Sequence, residues 1–200
     1  MRVSALDESL LPAWQALFEV CASPCYCRYW HFQGTKNDWL DRCAHRPQEN
    51  RDEQIAFIRS GVLEARGLLA MEGSTAMGWM KLAPRAGLIK LRRQGAYRGL
   101  DLGPDDGVWS IGCLLVRPDR RGQGVAQALI AASPAAVRSW STANRPARMI
   151  ESYPRGNPSG NGSARLHDEE AWIGTQGLFE RCGFVRVAGE PAYPVMRLAL

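Results

Sequence analysis

The stretch from Val116 to Ile130, VRPDRRGQGVAQALI, places two closely spaced glycines between an apolar segment and a helical pattern. Glycine lets the backbone adopt positive φ angles and approach a bulky ligand. The N–H groups in the first turn of the helix then point towards one spot, and the helix dipole strengthens their attraction for negative charge. The sequence therefore predicts an anion-binding loop, with a tight turn that binds nothing as the alternative.

Two familiar phosphate-binding motifs do not fit this loop. No Lys-Ser or Lys-Thr pair follows the glycines, so the loop is not a P-loop. The G-x-G-x-x-G pattern of dinucleotide-binding folds is also missing from it. A phosphate bound here would be held in another way.

A second unusual stretch, CYCRYW, runs from Cys25 to Trp30 and is followed by His31. Its cysteines, together with Cys21, His31, Cys43 and His45, could supply zinc ligands, but no second closely spaced pair completes such a site. A disulfide between the two cysteines of CYCRYW would be strained. We therefore expect no metal and no disulfide here. Packing in the core and lining a substrate pocket are the two remaining interpretations, and they are compatible.

Composition and charge exclude several classes of protein. The chain of 200 residues is 46% hydrophobic and 22% charged, as expected of one globular domain spanning residues 1–200. No apolar run could span a bilayer and no signal peptide is evident, so we expect a cytoplasmic protein with no membrane partner. In that compartment its six cysteines should be free thiols. The net charge of +5 forms no basic stripe, so we expect no nucleic-acid partner.

Hydrophobic periodicity predicts alternating strands and helices. The predicted strands are Arg2–Leu6, Leu68–Glu72, Ala76–Ala83, Val108–Val116, Arg148–Tyr153, Phe184–Ala188 and Val195–Leu200. The predicted helices run from about Asp7 to Cys21, from Asn37 to Ser60 with an interruption near Pro47, from Gly124 to Trp140 and from Trp172 to Cys182. Pro134 should kink or break the third of them. This mixture predicts an α+β or mixed α/β fold.

Several of these segments resemble motifs of the GNAT superfamily of N-acetyltransferases. Arg121 to Ala126, RGQGVA, resembles the R/Q-x-x-G-x-G/A loop that holds the pyrophosphate of an acyl-coenzyme A. Gly177 to Val187, GLFERCGFVRV, is similar to the C-terminal signature of the superfamily. Gly78 to Arg85, CYCRYW and Glu151 to Pro154 resemble segments of one of its branches. The resemblance covers most of the chain.

The resemblance implies a GNAT-like fold with a central mixed, mostly antiparallel sheet of about six or seven strands flanked by helices. The fourth and fifth strands would be splayed, and the co-substrate acetyl-coenzyme A would lie in the cleft between them. The backbones of Leu114, Leu115 and Val116 would hold the pantetheine arm. The N–H groups of the loop would hold the pyrophosphate. The implied cofactor-binding residues of this loop and of the C-terminal signature are Arg121, Gly122, Gln123, Gly124, Val125, Ala126 and Phe179.

The resemblance also suggests catalytic residues. The N–H near Leu115 would polarise the thioester carbonyl. Glu151 is the candidate general base, with a structural carboxylate bonded to a neighbouring strand or to an arginine as the alternative. Phe179 stands where the superfamily often has a tyrosine that serves as the general acid. Tyr153 is therefore the candidate general acid, with Tyr193 or water as alternatives.

The activity implied is direct transfer of an acetyl group from acetyl-coenzyme A to a primary amine, without a metal. The acceptor would be a small molecule or a protein lysine. Arg28, Tyr29 and Trp30 would contact it, because this segment lies over the acceptor end of the cleft in GNAT folds. A non-catalytic, coenzyme A-binding or regulatory protein is the alternative. Dimers are common in the superfamily, so a homodimer is allowed, although the sequence carries no interface signature.

Overall fold

Seven strands form one continuous sheet in the computed structural model, which describes residues 1–156 and 172–200. The strands are β1 (Arg2–Ala5), β2 (Gly67–Glu72), β3 (Thr75–Pro84), β4 (Val108–Val116), β5 (Met149–Ser152), β6 (Val185–Glu190) and β7 (Tyr193–Ala199). Their order across the sheet is β1-β2-β3-β4-β5-β7-β6. Among these seven described strands, the β4–β5 pair is the only parallel one. The implied mixed, mostly antiparallel sheet is therefore confirmed.

Five α-helices connect these strands in the described part of the chain. They are α1 (Leu11–Val20), α2 (Lys36–His45), α3 (Pro47–Arg59), α4 (Val125–Trp140) and α5 (Gln176–Arg181). The predicted interruption near Pro47 is confirmed: α2 ends at His45 and Pro47 begins α3. The predicted start of the last helix at Trp172 is wrong. Gly174 has a φ of 83°, which a helix does not accommodate, and α5 begins only at Gln176.

The helix α4 continues through Pro134, so the predicted break there is wrong. A proline removes the N–H that would bond the carbonyl four residues earlier, which here is Ile130. The Ser133 hydroxyl donates a hydrogen bond of 2.7 Å to this carbonyl. A side chain next to the proline thus satisfies the acceptor that the proline leaves without its helical donor.

Helices cover both faces of the sheet. Side chains alternate between the two faces of a strand, and along β2 Leu68 and Ala70 pack with α4, whereas Leu69 and Met71 pack with α1. The helix α5 lies on the α4 side through Phe179, and α3 lies on the α1 side. No helix of the described residues is both long enough and apolar enough to cross a membrane.

The two central strands separate partway along their length. Val108–Ile111 of β4 pairs with Met149–Ser152 of β5, and the pairing ends there. The register with β3 skips Gly112, a β-bulge that bends β4 at this point. We call the region beyond the bulge, between 112–116 of β4 and 153–155 after β5, the β4–β5 cleft.

Candidate functional site

The glycine loop leads directly into α4 at one end of the β4–β5 cleft. Gly122 and Gly124 have φ angles of 73° and 81°, so both positions favour glycine whatever space surrounds them. Among the described residues, no side chain caps α4. The first N–H groups of a helix have no partner within the helix, and here they face a cavity.

This loop cavity has a volume of about 320 Å³. Its lining residues are Val116, Arg120, Arg121, Gly122, Gly124, Val125, Ala126, Gln127, Leu178 and Arg181. Three of them are arginines, and the Arg120 guanidinium also forms a 2.7 Å ion pair with Glu72. Gln123, also predicted to bind the cofactor, is not in this lining, and its side-chain amide donates to the Asp119 carbonyl at 2.9 Å. The chemistry of the cavity fits a diphosphate.

Alternation along β4 decides which amides face the β4–β5 cleft. The backbone N–H of Arg117 donates to the Met77 carbonyl on β3. Hydrogen-bonded pairs recur at every second residue of an antiparallel ladder. Leu115, opposite Trp79, therefore also faces β3. The prediction that Leu115 polarises a carbonyl in the cleft is wrong. Leu114 and Val116 present their backbone groups to the cleft instead.

The chain's own segment Trp172–Thr175 crosses the β4–β5 cleft. The Leu114 N–H donates to the Trp172 carbonyl at 2.8 Å, and the Arg155 N–H donates to the Gly174 carbonyl at 3.1 Å. A Cβ at Gly174 would lie 3.0 Å from the Phe179 ring and 3.1 Å from the Leu114 side chain. Phe179 is fully buried beneath this segment. The segment thus connects both strands with backbone hydrogen bonds.

Glu151 lies below the cleft, in the paired part of the two strands, opposite Ser110. It is 0% exposed. Its carboxylate accepts hydrogen bonds from Arg85 at 3.0 Å, from Arg197 at 2.6 Å and from the Tyr153 hydroxyl at 2.8 Å. Both oxygens are engaged, so the geometry matches the structural alternative and not the predicted general base.

Tyr153 is also fully buried. Its hydroxyl donates to Glu151 and accepts from Ser110 at 3.1 Å. Burial, followed by the nearby Glu151 charge, raises the pKa of Tyr153 well above its ordinary value. This hydroxyl is directed to the buried network and away from the cleft, so the structure does not support Tyr153 as the acid.

The sequence did not predict that Arg85 and Arg197 would contact Glu151. Arg85 donates to Glu151, to Asp105 at 2.6 Å and to three backbone carbonyls between 102 and 104, and so ties the irregular segment after β3 to β5. Arg197 lies directly opposite Glu151 in the β5–β7 register. Only a known strand pairing could have revealed this cross-strand pair.

A second cavity, of about 470 Å³, lies at the other end of the cleft. We call it the aromatic cavity because most of its walls are rings. Its lining residues are Cys25, Tyr29, Trp30, Trp39, Gln94, Ala96, Tyr97, Arg155, Trp172, Ile173 and Tyr193. Tyr29 and Trp30 therefore lie where a substrate wall was predicted.

Arg28 does not line the aromatic cavity, contrary to its predicted place beside Tyr29 and Trp30. Its buried guanidinium forms a 2.6 Å ion pair with Glu53 and donates to Gln54 at 3.3 Å. It also lies over the Phe57 ring, 4.4 Å from the centroid. These contacts give Arg28 a role in joining CYCRYW to α3.

The cysteines of CYCRYW are free thiols, as are the other four. The neighbouring Cys27 thiol and burial raise the pKa of Cys25 well above its ordinary value. Cys27 is buried and accepts a hydrogen bond of 3.3 Å from the Trp79 indole. No cluster of three or more potential metal ligands occurs in the described ranges. The cysteines thus pack as small apolar side chains, and Cys25 also contributes to the aromatic cavity.

Comparison with solved structures identifies the fold. The PaiA N-acetyltransferase from Thermoplasma acidophilum, in complex with coenzyme A, has a TM-score of 0.54 over 100% of both chains at 11% identity. An aminoglycoside 6'-N-acetyltransferase complexed with coenzyme A has a TM-score of 0.53 at 13% identity, over 100% of this chain and 97% of that one. The aminoglycoside 6'-N-acetyltransferase from Enterococcus faecium has a TM-score of 0.52 at 14% identity, with the same coverage.

These similarities define the architecture of the chain: it has the fold of the GNAT N-acetyltransferases. Searches with protein-family models and among curated proteins give no match. The fold implied by the sequence motifs is therefore confirmed by structure, and the activity has to be argued from the site.

Proposed function

We propose that this protein is an acyltransferase that moves an acetyl group from acetyl-coenzyme A to a primary amine. One observation supports this most: the N-terminus of α4, which no side chain of the described residues caps, faces a cavity lined by three arginines at one end of the β4–β5 cleft of a GNAT fold. A donor with a diphosphate at one end and an extended polar arm would match these two features together. The aromatic cavity at the far end of the β4–β5 cleft would receive the amine.

The diphosphate would be held mainly by backbone groups. The N–H groups at the start of α4 and the positive end of its dipole attract an anion. Arg120, Arg121 and Arg181 line the same cavity and add positive charge. The nucleotide end of the donor would thus lie away from the aromatic cavity.

In the reaction, the amine nitrogen attacks the thioester carbonyl carbon. The new C–N bond forms as the C–S bond breaks, and the amine proton passes to solvent or to the departing thiolate. Leu114 carries the cleft-facing N–H closest to the Gly112 bulge, so we assign it the polarising role that was predicted for Leu115. Trp172 accepts from this N–H, so its carbonyl must move for the donor to bind there.

Glu151 and Tyr153 are engaged in the buried network, so the proposed reaction does not use either of them as a base. The amine would attack as the neutral fraction already present, favoured by apolar walls that disfavour its charged form. On this basis kcat/KM rises with pH and levels off when the pH exceeds the pKa of the free amine. A profile that levels off near pH 5 would instead indicate a carboxylate base.

The second candidate is a protein that binds coenzyme A without acetyl transfer. Two observations favour it: Phe179 has no hydroxyl, and the Leu114 N–H is already bonded to the chain's own Trp172. Calorimetric titration with coenzyme A, followed by a thiol-release assay with acetyl-coenzyme A and a panel of amines, separates the two. Binding with amine-dependent thiol release supports the transferase. Binding alone supports the second candidate, and absence of binding overturns both.

A further inference from the structure

We propose that the acceptor is a monoamine carried on a flat, apolar body, held by ring stacking in the aromatic cavity. This inference rests on the proposed function for the reaction, but its binding step can be tested without the donor. The argument depends on how the cavity is attached to the cleft, how its rings are arranged and where its charges lie.

Three wall residues are bonded to the two strands that form the β4–β5 cleft. The Trp30 indole N–H donates to the Gly112 carbonyl at the bulge, at 2.6 Å. The Tyr97 hydroxyl donates to the Tyr153 carbonyl at 3.3 Å, directly after β5. Trp172 accepts from Leu114 on β4. A ligand between these rings would therefore lie beside the cleft, next to the bulge at Gly112.

The wall rings support one another. Tyr29 is at the centre, with centroid distances of 5.3 Å to Trp30, 5.5 Å to Trp39 and 6.2 Å to Trp172. Trp30 and Trp172 are 5.9 Å apart. The Gln94 side-chain amide donates to the Tyr29 hydroxyl and fixes that ring. Rings held by mutual contact lose little freedom on binding, so a flat apolar ligand gains the stacking energy with a small ordering cost.

The charges around the cavity disfavour a polycation. The Lys90 ammonium lies 5.3 Å from the Tyr29 ring centroid. This wall ring therefore already faces a cation of the protein itself. The lining residues in the described part of the chain include no carboxylate. A ligand with several ammonium groups would bring some of them near this like charge, whereas a single amine on an apolar body would not.

The first test compares substrates that all carry a primary amine but differ in the rest of the molecule. With the full-length protein and saturating acetyl-coenzyme A, kcat/KM is measured for 2-phenylethylamine, n-butylamine and spermidine by thiol release. We expect 2-phenylethylamine to exceed n-butylamine by about tenfold, the value of one or two ring contacts, and spermidine to be the poorest. A preference for spermidine, or equal values for the first two, would overturn the proposal.

The second test removes single wall rings. Trp39→Leu keeps an apolar side chain but deletes a ring, and should raise KM for 2-phenylethylamine about tenfold with kcat and coenzyme A affinity unchanged. Trp172→Leu repeats only the KM measurement for 2-phenylethylamine, because the segment that contains Trp172 must move for the donor to bind; its ring is 39% exposed, where folding is less at risk. Trp140→Leu is the matched control, because this ring packs on Trp109 near the other end of β4. Unchanged KM in both wall variants would refute the assignment.

A third measurement separates this inference from the proposed function. Quenching of tryptophan fluorescence by 2-phenylethylamine, without donor, reports binding in the cavity. Quenching that is lost in Trp39→Leu but kept in Trp140→Leu supports the cavity assignment even if no thiol is released, in which case only the transferase fails. Thiol release with no ring preference and no quenching would leave the transferase standing and overturn this inference.

Discussion

Replacing Glu151 with glutamine tests whether this carboxylate is structural or catalytic. The substitution keeps the shape of the side chain and an oxygen acceptor, but removes the charge that two guanidinium groups share. The Arg85 side chain is 1% exposed and that of Arg197 is 29% exposed. Removing one partner of a buried ion pair costs about 3–5 kcal/mol. Arg85 keeps Asp105 at 2.6 Å and Arg197 has access to water, so we expect the lower end, about 3 kcal/mol.

For a chain of this size, each kcal/mol lowers the melting temperature by about 2–4 °C. Glu151→Gln should therefore melt about 6–12 °C below the wild type. Below that transition, thiol-release kcat should stay within a few-fold of the wild type, because the carboxylate lies under the cleft. Adding Arg197→Met removes one cation left without its partner and should restore part of the lost stability.

Thermal unfolding and steady-state kinetics on the same samples decide the matter. A general base contributes about 10²–10⁴-fold to the rate. If Glu151→Gln melted within about 2 °C of the wild type while kcat fell by that factor, the structural assignment would be refuted and the general base restored.

Three further predictions concern the loop, a buried amine and α4. Gly124→Glu places a side chain at a positive φ, which costs about 1–2 kcal/mol, and adds a negative charge at the loop. It should therefore weaken coenzyme A binding more than Arg121→Ala does. Equal affinities of the two variants by calorimetry would contradict this. Burial lowers the pKa of Lys81 to about 7, so unfolding binds a proton between pH 7 and about 10.5, and stability should rise with pH across that window. Below pH 7 the penalty is fully present, so Lys81→Met should be the more stable protein there and should lose this pH dependence in denaturant titrations. Ser133→Ala deprives the Ile130 carbonyl of its donor and should cost about 1–3 kcal/mol, but little when Pro134→Ala restores a backbone N–H; an equal cost in both backgrounds would count against this account.

The parts of the site that depend on local backbone chemistry could be predicted from the sequence. The glycine loop and the strand and helix beside it are contiguous, so residues 108–140 carry all the information they need. The placing of Tyr29 and Trp30 in a pocket wall came from the family resemblance, which preserves the order of segments around the cleft.

The parts that failed depend on register and on distant partners. Leu115 instead of Leu114 is an error of one residue, and it reverses which strand the amide faces. The network around Glu151 joins it to Arg85, 66 positions away, and to Arg197, 46 positions away. Periodicity within a segment contains no information on such pairs. Arg28 was misplaced for the same reason, because its partner Glu53 lies 25 positions away on α3.

The contact between Leu114 and Trp172 affects how tightly the free protein can hold anything along β4. A ligand that forms a hydrogen bond with the Leu114 N–H breaks the one between Leu114 and Trp172. The exchange therefore releases less heat than the number of new contacts suggests. A net hydrogen bond is worth about 1 kcal/mol, or roughly a fivefold change in affinity. If the proposed function holds, the chain acts as its own competitor at this amide, and a donor would have to make up for the lost Leu114–Trp172 hydrogen bond through its contacts with the α4 loop.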